Sequence, residues 1–128
     1  MRLNFWIPIV AATMMAAPAG AAPYNEDQMQ LARWIGAAEA SVIQCPSLKL
    51  SRAALGQALK GAGLKQSDYD RKTEFRRTVD QQKSSLLGIG QQRMEIGTKA
   101  ADLSEGACKS GLSLYGPSGR FVPGLLLP

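Results

Sequence analysis

Two cysteines and no histidine set the limits of the chemistry available to this chain. Cys45 and Cys108 could form a redox couple, supply a nucleophile or make a structural bridge. Redox sites bring two cysteines together as C-x-x-C at a helix N-terminus, where thiolate is stabilised. Here the two are far apart in sequence, and neither opens a predicted helix. Cys45 ends one, where the helix dipole disfavours thiolate. With only two cysteines the pairing is unique, and a structural Cys45–Cys108 disulfide is expected. The lack of histidine excludes Ser-His-Asp and Cys-His catalysis, histidine-ligated metal, haem on a histidine and a histidine pH switch.

Acid–base catalysis would need two carboxylates at a working distance. The acids spread over predicted helix starts and exposed faces. Glu39 and Glu95 are the least explained, and Glu39 follows the apolar stripe of its helix by one position, which points it toward solvent. Asp68-Tyr69-Asp70 opens like a calcium loop. That loop would continue with another Asp or Asn, a glycine and a glutamate, and Lys72, Thr73 and Val79 stand there instead. Helix capping by Ser67 and Asp70 accounts for the acids. Gly88-Ile89-Gly90 starts a G-x-G-x-x-G pattern, but Arg93 replaces the third glycine and no strand precedes it. A hinge or helix break is the better account. Ser84, Ser85 and Ser118 lack the S-x-x-K or G-x-S-x-G setting of a nucleophilic serine. No catalytic residue, no metal ligand and no cofactor is assigned, and the chain reads as a non-enzyme.

Arg71, Lys72, Arg76, Arg77 and Lys83 form the most concentrated basic feature, with Arg93 beyond it. They fall on one predicted helix and could bind an anionic surface weakly. Acids interleave with them, so a solvated face is the plainer reading. Nucleic acid is disfavoured, because no aromatic platform accompanies the cations.

Four helices must position these groups. The first spans 26–44: Asn25 and Gln28 make a capping box, and Leu31, Ile35, Ala38, Val42 and Cys45 recur at helical spacing. Pro46 ends it. Ser51 caps a second, shorter helix over 52–61, which Gly61 and Gly63 close, with Leu64 making the apolar contact of a Schellman-type stop. A third runs over 68–87 with Phe75, Val79 and Leu86 inward. Residues 91–99 are ambiguous between a continuation past a kink and a loop. The fourth covers 100–114, with Cys108, Leu112 and Tyr115 on one face. Gly116-Pro117 stops it. The tail, 116–128, is irregular yet apolar. Phe121 and Leu125–Leu127 either lie in a groove on the helices or dock a partner.

Residues 1–21 read as a secretory signal peptide: Arg2, the apolar run Phe5–Met15, and Ala19-Gly20-Ala21 as the cleavage site. The apolar run falls well short of the roughly 20 residues a membrane span requires, so no transmembrane segment is expected after cleavage. Residues 22–128 then form one helical domain in the periplasm or outside the cell, where disulfides persist. The chain carries 15 basic and 10 acidic residues, net +5, and cleavage removes one of the cations, Arg2. Aromatic residues make up only 6%, so alanine and leucine must carry much of the packing. The expected fold is all-α: a small, irregular four-helix domain with one disulfide and an apolar C-terminal tail. The expected function is binding, in a chaperone-like or envelope-maintenance role, with an unidentified protein or envelope component as partner. The alternatives are a carboxylate-based cell-wall enzyme, and a host-directed or anionic-surface binder that uses the basic helix.

Overall fold

The computed structural model describes residues 24–128; the expected leader and its expected cleavage site lie outside them. The described chain is mostly helical. Its elements are α1 (Glu26–Gln44), β1 (Lys49–Leu50), α2 (Arg52–Gly61), α3 (Gln66–Asp70), α4 (Glu74–Glu95), α5 (Ala100–Tyr115) and β2 (Leu126–Leu127).

The ends of α1 and α2 follow the local chemistry. Asn25 Oδ1 accepts from the Gln28 N–H at 2.8 Å, and Gln28 Oε1 accepts from the Asn25 N–H at 2.9 Å. This capping box satisfies two donors that a helix start otherwise leaves open. Ser51 caps α2 by accepting from the Ala54 N–H at 3.1 Å. At its far end Gly63 adopts φ +77°, and the Leu64 N–H returns to the Leu59 carbonyl at 2.8 Å. Leu64 is buried there, as the Schellman contact requires.

The third predicted helix is two helices, so five helices stand among the described residues where four were expected. The break falls at residues 71–73. Arg71 is extended, and Thr73 becomes a new N-cap that accepts from the Arg76 N–H at 3.0 Å. The Thr73 hydroxyl also donates back to the Asp68 carbonyl. A threonine that bonds local backbone on both sides offers the chain an alternative to continuous helix. The expected Ser67–Asp70 cap does not form. Asp68 serves instead, accepting from the Lys65 N–H at 2.8 Å and the Tyr24 hydroxyl at 2.7 Å. These two bonds hold its carboxyl below the ordinary carboxylate range, the backbone bond contributing most.

Gly88-Ile89-Gly90 does not break the helix; α4 runs through it to Glu95. A glycine in a helix costs about 1 kcal/mol relative to alanine, which a 22-residue helix packed along α1 tolerates. Gly90 is buried, with the Gln44 amide lying where a Cβ would stand.

Helix α1 is the axis of the molecule. It buries Leu31, Ala32, Ile35, Gly36, Ala38 and Ala40. Helix α4 runs in the same direction, meeting α1 at Tyr24–Phe75, at Gly36 against Val79, Gln82 and Lys83, and at Gln44–Gly90. At Gly36 an added Cβ would strike the Val79 carbonyl and lie 2.9 Å from Gln82 Cβ, so glycine permits the close approach. Helix α5 returns antiparallel, with Gly111 against Ser41 and the Cys45–Cys108 disulfide joining it to the end of α1, Cα to Cα 5.2 Å.

The tail is tied down. β2 pairs antiparallel with β1, Lys49 opposite Leu127 and Leu50 opposite Leu126. The Ser51 N–H donates to the Leu125 carbonyl at 2.7 Å. Leu125 and Leu126 are fully buried, and Phe121 stacks on Trp34 with ring centroids 5.1 Å apart. Of the two readings of the tail, the groove on the helices is the one observed.

Candidate functional site

The five basic residues do not form one stripe. Arg71 and Lys72 sit in the break between α3 and α4, not on a helix, and are exposed. Arg77 is exposed on α4. Arg76 and Lys83 are three-quarters buried and turned inward, toward an acid.

That acid is Glu39, which the spacing along α1 had directed to solvent. Its side chain is only 11% exposed. Lys83 Nζ donates to Oε1 at 3.0 Å, the Tyr69 hydroxyl donates to Oε2 at 2.5 Å, and Arg76 stands 3.8 Å from Oε2. Arg76 also pairs with Asp80 at 3.1 Å and lies over the Tyr69 ring at 4.6 Å. Burial, and then the bond to Glu39, raise the Tyr69 phenol above its ordinary range. The sequence carried a signal for this. From Trp34 to Leu48, Glu39 is the one charged residue. A helix surrounded by other elements needs partners for such a charge. Both carboxylate oxygens are engaged, so Glu39 acts as a clamp joining α1, α3 and α4. Glu95 lies exposed at the end of α4. Among the described residues no group of three or more Cys, Asp or Glu side chains is placed to hold a metal ion.

One of several concave features among the described residues lies between α4 and α5, over α1. Each helix sends a stripe at helical spacing into it. Helix α1 supplies Ala37, Ala40, Ser41 and Gln44; α4 supplies Leu86, Ile89, Gly90 and Arg93; α5 supplies Leu103, Gly106, Ala107, Ser110 and Leu114. The groove has a volume of about 370 Å³. Tyr115 also lines it and is itself almost wholly buried. Burial alone pushes its phenol up to about 12. Thr98, Arg93 and Asp102 line it as well, and Arg93 and Asp102 make no ion pair with each other.

The groove opens because α4 and α5 meet only sparsely over the last turns of α1, and it runs on past the end of α1 at Gln44, beside Gly90, while α4 continues to Glu95. The last turn of α4 and the first turns of α5 therefore extend past the end of α1, and most of their residues are exposed. Ile89 is 46% exposed, Met94 44% and Ile96 84%. Ile43, at the same end of α1, is also exposed. The sequence did not single out this groove, since it depends on where three helices stop relative to one another.

No protein-family model, no curated protein and no solved structure matches this chain.

Proposed function

We propose that this is an exported, non-catalytic protein that acts by binding an apolar helical segment in the groove between α1, α4 and α5. This gives the chaperone-like or envelope-maintenance reading a specific surface. The observation that carries it is the convergence of three helical stripes on one open groove. The stripes are mostly small and aliphatic residues, with Gln44, Arg93 and Asp102 as the larger polar members, and with exposed isoleucine and methionine at the same end of the molecule. This is the lining of a helix-in-groove site, where an amphipathic helix lays its apolar face between others. Glu39, with its side chain only 11% exposed, is engaged at both oxygens by its own neighbours, which supports binding over carboxylate catalysis. Export is supported by the leader-like N-terminus and by a disulfide, which suits an oxidising compartment. Among the described residues no helix is long and apolar enough to cross a membrane.

The test is titration of a labelled amphipathic peptide of leucine, alanine and lysine, about 14 residues or four helical turns long, followed by fluorescence anisotropy. Binding is expected, and Ile89→Glu should weaken it about tenfold or more, a change of ~1.4 kcal/mol, without altering the circular dichroism. Affinity should change little with salt, because the lining is mostly apolar and its two charged residues, Arg93 and Asp102, are of opposite sign. A steep loss with salt would instead place the cationic peptide on acidic side chains rather than on the apolar floor, and would count against the proposal. No binding in either condition would end the proposal. Export is checked by the mass of the native product, which should begin at Ala22 and carry no free thiol.

A further inference from the structure

We infer that, when no other chain fills it, the groove end is covered by a second copy of this protein, packed about a two-fold axis. The inference rests on the groove being a docking site for apolar chain, and it names what covers that site at rest.

The argument begins with self-complementarity. A two-fold interface uses the same patch on both copies, so the patch must contain its own counterpart. The groove end does. Arg93 lies on the α4 wall and Asp102 on the α5 wall. Neither makes an ion pair among the described residues. An uncharged apolar helix laid between them would leave both without a counterpart. A second copy turned through a two-fold sets Arg93 of each against Asp102 of the other.

The apolar surface is self-complementary in the same way. Four of the six large hydrophobic residues that stand exposed, Ile43, Ile89, Met94 and Ile96, belong to this end of the molecule. Ile89, Arg93 and Ile96 continue one stripe of α4 from the groove out to its C-cap. Each copy thus offers both a groove and an aliphatic ridge to enter one. Contiguous exposed apolar surface rimmed by polar groups marks an interaction face. The chain's net positive charge does not oppose contact here, because between Ile89 and Leu103 the cations Arg93 and Lys99 are matched by Glu95 and Asp102. Charges elsewhere on the two copies, farther apart than a Debye length of about 8 Å, are screened at physiological salt.

Sedimentation equilibrium of the disulfide-bonded protein, over concentrations up to the order of 100 µM, tests the pairing. A dimer is expected. Arg93→Asp and Asp102→Arg, each alone, set like charges against each other and should weaken it about tenfold or more, where tenfold is ~1.4 kcal/mol. The two changes together restore opposite charges and should return the affinity to near its original value. Ile96→Glu, at an exposed position, should give a monomer with unchanged circular dichroism. A monomer throughout the concentration range overturns the pairing, as does a dimer indifferent to both single reversals. The peptide titration on Ile96→Glu separates the two readings. Peptide binding with no wild-type dimer leaves the groove as a binding site and removes only the pairing. A dimer that obeys the charge exchange, with no peptide binding by the monomeric variant, keeps the pairing and removes the binding of foreign segments.

Discussion

Glu39 spends both carboxylate oxygens on bonds that join three helices. Truncating it would strip Tyr69 and Lys83 of their acceptor and Arg76 of a nearby counter-charge, and hydrogen bonds to a charged group contribute about 1.5–3 kcal/mol each before compensation. Arg76 and Lys83 remain about one-quarter exposed, so water recovers part of the loss. Glu39→Ala is therefore expected to lower the unfolding free energy by about 2 kcal/mol, and Glu39→Gln, which keeps one acceptor, by less. Urea unfolding of the two variants gives the comparison. Tyr115 contributes at the other end of the pH scale. Its phenol is pushed up to about 12 by burial, while an unfolded tyrosine ionises near 10. The stability it contributes is complete below about pH 10 and is lost as pH rises toward 12, because the unfolded chain ionises first. Tyr24 and Tyr69 are raised in the same sense, each chiefly by burial. Tyr115→Phe is expected to change neutral-pH stability by under about 0.5 kcal/mol and to make the loss between pH 10 and 12 shallower. Denaturant midpoints across that range will show it.

At the scale of elements, glycines in two helices have opposite meanings. Gly36 of α1 faces the α4 backbone, so Gly36→Ala must push the helices apart. Overpacking of this kind costs about 1–3 kcal/mol. Gly88 of α4 has open space around its Cα, so Gly88→Ala should raise stability by about 0.5–1 kcal/mol through helix propensity and a less flexible unfolded chain. Thermal melts of both variants should move in opposite directions. A fall at Gly88 would contradict the continuous helix through Gly88–Gly90. The broken third helix teaches a related point. No apolar residue stands between Tyr69 and Phe75, where Lys72 and Thr73 occupy the helical spacing, so the stripe itself lapses at the break. Thr73 decides it, by capping forward to Arg76 and bonding backward to Asp68.

For the whole molecule, the bridge between Cys45 and Cys108 closes a separation of 63 residues. The chain-entropy estimate for a loop of that length is about 4 kcal/mol, a large share of the 5–15 kcal/mol typical of a domain. A Cys45→Ala/Cys108→Ala variant should lose about 2–4 kcal/mol in urea unfolding. Helix α5 meets α4 sparsely, so the bridge to α1, the contact at Gly111 and the buried Tyr115 hold it in place. Loss of the bridge should therefore loosen the α5 wall of the groove first. Amide exchange in residues 100–110 is expected to rise more than in α1. Equal protection in both would assign α5 a second anchor.

Much of this architecture was written locally. The capping box at Asn25, the stripe from Leu31 to Cys45, the stop at Gly63-Leu64 and the unique pairing of two cysteines depend on neighbours in the chain, and such signals read directly as helix, end and bridge. The direction of Glu39, the pairing of Leu126 with Leu50 and the groove were not legible, because each depends on residues that meet only after distant elements pack. An amphipathic stripe tells a helix which face to bury but not how many neighbours will surround it, so Glu39 could be placed on α1 by sequence and given its partners only by α3 and α4. The groove goes one step further. It is the space between α4 and α5 over the last turns of α1 and beyond its end, and no residue encodes that space until three helices are set side by side.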